Sequence, residues 1–390
     1  MQPEALRTLV GRYDPEVLPL ERDVRVRLVV GGGDRAWDAV LSSDGARLDE
    51  ANGAEPDATL TADERTWERI AADVRGGMDA FRRRKLTVRR DLHLGVGFLA
   101  ATSGMREEGR LRFRTVPTKD HSISLLEAGT GAPVVAIHGL GATKASFLAT
   151  VAALAPRFRV IAIDLPGFGD SSKPVGAPYD ARWFGDAVVQ LLDALELERA
   201  HIVGNSLGGR VALEIGLRAP ERVDRLALLA PSMAWRRKRP WAPALRLVRP
   251  ELGVLPHAPR AVVERVLDKF MPEARTGWAA AGVDEFLRSF LTPRGRAAFY
   301  AAARQIYLEE PEGEDGFWPR LRELTVPSLF IWGRRDSLVP IAFARHVTEA
   351  VPAAQHLELD CGHVPQMERP RETHEALSRF LRGAHTGSRQ

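Results

Sequence analysis

The chain has 390 residues, 45% hydrophobic and 27% charged, which is ample core material for two or three packed domains. Lys and Arg total 55 against 51 Asp and Glu, and the net charge of +4 gives no reason to expect a nucleic-acid partner. A single cysteine, Cys361, excludes an internal disulfide. No Cys/His cluster has zinc spacing, residues 1–21 lack a signal-peptide core, and no apolar run approaches the roughly 20 residues that span a bilayer. A cytoplasmic protein without metal or organic cofactor is expected.

After a short helical start, residues 24–30 alternate apolar and charged, as a half-buried strand does. Residues 31–34 form a glycine turn, and 36–43 read as a second strand. A third candidate follows the Ser43-Asp44-Gly45 turn, and 56–62 is a fourth. The period then changes. Thr61 or Asp63 can cap a helix carrying Trp67, Ile70, Ala71 and Val74, stopped by Gly76-Gly77. A short helix over 78–84, a strand over 86–91 and an apolar helix over 93–103 complete the segment. A meander followed by helices predicts a separate small α+β domain over residues 1–110.

This segment resembles the sterol carrier protein family. The resemblance covers about the first hundred residues and rests on five features. These are Pro56-Asp57-Ala58-Thr59-Leu60-Thr61, the helix after it, the stretch from Gly76 to Phe81, Lys85-Leu86-Thr87-Val88, and the closing apolar helix. It implies a lipid-binding domain with an apolar tunnel that holds a lipid or acyl substrate. A packing module that has lost its ligand is an equal alternative, since Arg84 and Arg90 stand where the family usually has glycines. The basic run Arg82-Arg83-Arg84-Lys85 reads as a solvated surface rather than a headgroup site.

From residue 111 the rhythm is different. Two opening strands, 111–114 and 123–127, precede the continuous apolar run 132–137, the mark of a strand buried on both faces. It ends in His138-Gly139-Leu140-Gly141. A helix over 146–154 and a second buried strand, 159–164, lead to a loop dense in turn residues, Leu165-Pro166-Gly167-Phe168-Gly169-Asp170-Ser171-Ser172. A helix over 179–196, a strand from 200, a helix over 207–218 and a strand over 223–229 follow. Alternating strands and helices predict a mostly parallel sheet covered on both faces. Residues 232–322 show only helical spacing and read as an inserted cap. Alternation resumes with strand 327–333, helix 341–351, strand 355–359 and helix 369–381.

The chemistry centres on Gly204-Asn205-Ser206-Leu207-Gly208-Gly209. A serine between glycines, directly after a strand and before a helix, has the pattern of a nucleophile elbow. Ser206, Asp336 and His363 each fall in a loop at a strand end, and such ends gather at one edge of a parallel sheet. Ser206 is then the candidate nucleophile, His363 the general base and Asp336 the group that fixes its tautomer. The backbone N–H groups of Leu207 and Leu140 are the candidate oxyanion donors. Asp360 is a rival acid, but it lies too close in sequence to His363 to orient it.

Five motifs in this order are similar to the α/β-hydrolase fold family. They are His138-Gly139-Leu140-Gly141, Asp164 to Ser171, Gly204 to Gly209, Trp332-Gly333 with Asp336, and Cys361-Gly362-His363. The resemblance spans nearly all of residues 111–382. It implies an α/β-hydrolase with a mostly parallel sheet and a helical cap over 111–390, behind the small sterol-carrier-like domain. The elbow serine and the Cys-Gly-His run are similar to esterases and to carbon–carbon bond hydrolases of ring-fission products. The latter commonly carry an aromatic residue where this chain has Val364. The implied function is a serine hydrolase of an apolar carboxylic ester, lipid- or acyl-like. Carbon–carbon cleavage is the alternative, and a non-catalytic lipid carrier is the rival from another class. His138, Asn205, Trp235, Phe286, Phe290 and Val364 are the substrate-pocket candidates, His138 more as a shaper of the oxyanion loop. The basic, aromatic run Trp235 to Trp241 is a possible peripheral membrane contact, with a solvated arginine run the plainer reading. Oligomeric state is not legible.

Overall fold

A computed structural model gives the protein's fold and describes residues 2–31, 35–72, 80, 85–104, 109–235, 261, 262, 265 and 278–383. The glycine turn past Gly31, the Gly76-Gly77 stop, the helix over 78–84 apart from Ala80, the Arg82-Arg83-Arg84 run and the stretch 236–241 lie outside the described residues. The chain forms two compact units. The first comprises Met1–Arg114, Leu126–Gly129 and Arg260–Arg288. The second comprises Thr115–Leu125, Thr130–Pro259 and Ser289–Gln390.

The first unit is α+β. Its strands β1 (Val24–Val30), β2 (Arg35–Leu41), β3 (Ala46–Glu50), β4 (Ala58–Ala62) and β5 (Leu86–Arg89) form one sheet in the order β3-β2-β1-β4-β5. β1, β2 and β3 make the expected antiparallel meander, but β4 pairs with β1 in parallel, Val26 opposite Ala58. The meander reading therefore fails at its fourth strand. A parallel neighbour needs a crossover, and residues 51–57 complete it between β3 and β4. The crossover is pinned where Arg25 N–H donates to Asp57 Oδ2 at 2.8 Å. Alternate β1 residues Val26, Leu28 and Val30 are buried with Leu60, Trp67, Val88, Val96 and Phe98. Asp63 Oδ1 accepts from Thr66 N–H at 2.7 Å and caps the helix Glu64–Ala72. Asp91 does the same for Leu92–Ala101, a helix buried nearly all round.

Residues 260–288, read in the sequence as cap, belong to this first unit. The attachment is specific. Asp284, on the helix Trp278–Phe290, is buried and accepts from Arg89 Nε at 2.7 Å, Arg89 Nη2 at 3.2 Å and Arg90 N–H at 3.0 Å.

The second sheet, which lies in the second unit apart from residues 112–114 and 126–128, comprises β6 (Arg112–Pro117), β7 (Ser122–Ala128), β8 (Pro133–Ile137), β9 (Arg159–Ile163), β10 (Ala200–Asn205), β11 (Val223–Leu229), β12 (Ser328–Gly333) and β13 (Gln355–Leu359). The sheet order is β13-β12-β11-β10-β8-β9-β7-β6, and β9, β8, β10, β11, β12 and β13 pair in parallel. The chain steps from β8 out to β9 and returns to β10 on the other side of β8. The loops leaving β8 and β10 therefore part at their carboxyl ends, which is where open α/β sheets bind ligands. Val134 to Ile137, Val160 to Ile163 and Leu226 to Leu229 are inaccessible, as the apolar runs predict. Within 232–322 the described residues form the helices Trp278–Phe290, Pro293–Leu308 and Phe317–Leu321, and no strand. Among the described residues no helix is long and apolar enough to cross a membrane.

Candidate active site

β10 ends at Asn205 and a helix begins at Leu207, so Ser206 alone makes the turn. It does so at φ 53° and ψ −117°, a left-handed conformation for a residue with a side chain. Such strain costs on the order of 1–3 kcal/mol and persists only where neighbours enforce it. Here Ser206 N–H donates to Leu229 O at 3.0 Å, and Ser206 O accepts from Arg210 N–H at 3.0 Å and Ser232 N–H at 2.9 Å. The flanking glycines are required by contact. A Cβ on Gly204 would stand 2.3 Å from Gly208 O, and one on Gly208 would stand 2.1 Å from Ile137 O. Strand, turn and helix thus close on one another directly, as the spacing of the motif predicts.

Asp336 and His363 meet although 27 residues apart, with Asp336 Oδ2 2.7 Å from His363 Nδ1. The other carboxylate oxygen, Oδ1, accepts from Leu338 N–H at 2.8 Å and Val339 N–H at 2.9 Å. Every acceptor of Asp336 is therefore aimed. The rival Asp360 is exposed and pairs with Arg335 at 3.0 Å. The main chain of His363 is held as firmly as its ring. Glu368 accepts from Gly362 N–H at 2.7 Å and Val364 N–H at 2.9 Å, and Asn205 Nδ2 donates to His363 O at 3.1 Å and to Leu229 O at 2.9 Å. Asn205 thus ties the serine turn to the histidine loop.

The loop after β8 runs beside the serine, since a Cβ on Gly139 would stand 3.2 Å from Ser206 Cβ. His138 does not line a pocket. Its ring is fully buried, Leu165 N–H donates to Nε2 at 3.0 Å, and Nδ1 therefore carries the proton that it gives to Gly139 O at 2.7 Å. Burial holds this imidazole neutral, below its ordinary pKa, with Asp164 opposing the shift. Six residues on, Lys144 is also buried. Its N–H donates to Asp164 Oδ1 at 2.7 Å, and its Nζ to Asp164 Oδ2 at 2.6 Å and Asp170 Oδ2 at 2.9 Å. Burial opposes both charges, yet the ion pairing wins. Asp164 lies below the carboxylate range and Lys144 above the ordinary lysine value.

A cleft of about 180 Å³ opens beside Leu207 and Ser232. Its wall is mixed, with Ile306 and Phe317 next to Arg210, Glu309 and Arg320. Arg210 is buried against the Phe317 ring, 4.7 Å from its centroid, and is paired with Glu309 and, at 3.0 Å, with Glu214. Of the pocket candidates, Asn205 and the half-buried Val364 flank the Ser206 and His363 turns. Trp235 packs edge-on against Phe343, ring centroids 5.2 Å apart, and Phe290 against Phe299 at 5.3 Å. Phe286 belongs to the first unit. Sequence reasoning missed Lys144, Glu368 and the supporting role of Asp164. Asp164 stood inside a quoted motif. Lys144 and Glu368 carry no local signal, because long charged side chains read as surface.

Residues 132–370, more than half of the chain, match the model of the alpha/beta hydrolase fold family. A 2-hydroxy-6-oxononadienedioate/2-hydroxy-6-oxononatrienedioate hydrolase of Cupriavidus pinatubonensis is 31% identical over 72% of this chain and 99% of its own length. A pimeloyl-[acyl-carrier protein] methyl ester esterase of Aeromonas hydrophila is 30% identical over 67% of this chain and 99% of its own. Among solved structures, a membrane phospholipase A described as a bacterial virulence factor is 28% identical, with a TM-score of 0.58 over 71% of this chain and 87% of that one. A hydrolase from Pseudomonas aeruginosa is 29% identical, with a TM-score of 0.57 over 71% and 100%. The strand order, the loops at its carboxyl edge and these relatives agree: the chain is a hydrolase that belongs to the alpha/beta hydrolase fold family.

Proposed function

We propose that the protein is a serine hydrolase that cleaves an apolar carboxylic ester through an acyl-enzyme. The observation that carries this reading is the 2.7 Å contact of Asp336 with His363 Nδ1, beside a serine held in a strained turn. With the Nδ1 proton given to Asp336, His363 Nε2 is left as a base. It takes the Ser206 proton as Oγ bonds to the ester carbonyl carbon, and returns it to the alcohol oxygen as the carbon–oxygen bond breaks. Water repeats both steps and frees the acid. The N–H groups of Leu207 and Leu140 stabilise the oxyanion, each typically worth about 3 kcal/mol in the transition state. Leu207 N–H opens a helix and has no partner within that helix.

Hydrolysis of p-nitrophenyl butyrate by the full chain tests this. Wild-type turnover, with loss of at least about 10⁴-fold in Ser206→Ala at unchanged thermal stability, is the expected result. Wild-type protein that neither hydrolyses the ester nor reacts with a fluorophosphonate would instead make the chain a carrier. The second reading is carbon–carbon cleavage of a ring-fission product. It is favoured by relatives named for a dienedioate and for 2-hydroxymuconate semialdehyde. Turnover of such a dienoate with no ester turnover would establish it. We infer further that the first unit takes a lipid or acyl chain. The sterol-carrier resemblance supports this, and a cleft of about 480 Å³ sets Leu18, Leu20, Val24 and Leu94 beside the charged Arg22, Glu55, Asp57, Arg90, Asp91 and Arg288. Mass spectrometry of lipids that co-purify with the full chain tests it.

A further inference from the structure

The loop that presents Leu140 has no regular structure between Ile137 and Lys144 and contains Gly141 at φ 73°. A loop of that kind has many conformations open to it, yet an oxyanion donor acts only when held within tenths of an ångström. What holds it is a pair of fastenings that land on adjacent residues. At its start, His138 takes the Leu165 N–H on Nε2 and returns Nδ1–H to Gly139 O. At its end, Lys144 gives both its backbone N–H and its ammonium to Asp164. Both fastenings land at the end of β9, the neighbour of β8 in the sheet.

The anchor is itself immobilised. Asp170 N–H donates to Asp164 Oδ2 at 2.9 Å, and a Cβ on Gly169 would stand 2.1 Å from the same oxygen, so the loop after β9 is wrapped directly on the carboxylate. An apolar residue at 144 would fill this space without charge. A lysine there brings two buried charges into the fold, and these are costly unless geometry is what they secure. Asp170, one-third exposed, completes the pairing from the solvent side.

We propose that Lys144, acting through Asp164, is a positioning residue that sets the Leu140 N–H for the oxyanion. This inference rests on the serine-hydrolase reading above. Ester turnover is measured for wild type, Lys144→Met, the double variant Lys144→Met/Asp164→Asn and Asp170→Asn. Each rate is normalised to the sites titrated by a fluorophosphonate, so that misfolded protein is not counted. The double variant leaves no unpaired buried charge and keeps an acceptor for the residue-144 N–H, which guards against simple failure to fold. The expected result is a fall in kcat of about tenfold to a hundredfold for both Lys144 variants, with KM within about twofold. A smaller fall is expected for Asp170→Asn. Unchanged kcat per titrated site in the folded double variant overturns the inference while leaving the hydrolase reading intact. A wild type that neither turns over ester nor is labelled removes both.

Discussion

Each unit buries a carboxylate in an ion pair, and the two do so in different places. In the first unit Asp38 lies on β2, directly opposite Arg27 of β1, and is bridged by Arg27 Nε at 2.8 Å and Arg25 Nη1 at 3.0 Å. All three sit in the middle of a strand ladder that is rigid without them. In the second unit Asp164 and Asp170 lie past the end of β9 and Lys144 opens a 3-10 turn past the end of β8, where the ladder has run out but for Asp164 N–H on Ser124 O at 2.8 Å. The same chemistry therefore has two uses. On a ladder it adds stability to a geometry already set, whereas in a loop it supplies the geometry. The loops in question are the ones beside Ser206.

Substitutions that separate stability from turnover break or sharpen this contrast. After Ser206→Ala, the largest effect is expected at Asp336. Asp336→Asn keeps the shape but presents the wrong partner to His363 Nδ1, and kcat should fall by about 10³–10⁴-fold with little change in melting temperature. Steady-state ester kinetics beside a thermal melt read both. Asp38→Asn should do the reverse. It removes two charge-assisted contacts from a buried site and should cost about 1–3 kcal/mol of stability in a denaturant titration, with kcat unchanged. A fall in kcat matching that of Asp336→Asn would erase the distinction between ladder and loop.

A weaker, shared effect is expected from acid. Burial holds His138 and His201 below the ordinary histidine pKa, while cation partners outweigh burial to hold Asp38, Asp164 and Glu214 below the carboxylate range. For every one of these groups the unfolded chain binds the proton first as pH falls, so stability declines. Melting temperature should begin to drop below about pH 6.5 as the histidines act, and drop faster below about pH 4 as the carboxylates join. A flat melting temperature from pH 7 to 5 would contradict the buried neutral histidines. The smallest effect belongs to Cys361. Burial, reinforced by Glu368, pushes its thiol up to about 12, so it should ignore a thiol reagent until the protein unfolds.

What was legible in the sequence was whatever repeats at short range. The apolar runs at 134–137, 160–163 and 226–229 marked inaccessible strands because no polar residue interrupts them. The glycines about Ser206 marked a turn because a Cβ there strikes backbone, within the motif at Gly204 and on β8 at Gly208. Asp336 and His363 could be paired because strand ends in a parallel sheet converge whatever lies between. The parallel partner of β1 was missed because residues 51–57 carry no helix to announce a crossover. Lys144 was missed because its burial depends on Asp164, twenty residues on. Nothing near Lys144 marks it as anything but a surface charge. Asp284 resembled any acid on an exposed helix face, and only the fold shows it against Arg89.

That last contact reaches beyond structure into the order in which the chain is made. Arg89 and Asp284 are 195 residues apart. At translation rates of about 5–20 residues per second, Asp284 leaves the ribosome on the order of 10–40 s after Arg89. For that interval the N-terminal strands are present but lack the helix that covers their two arginines. A fragment ending near residue 110 would hold the first unit at that incomplete stage. During synthesis, a factor that guards emerging chains would meet an open face at β5, closed only when most of the catalytic sequence has followed.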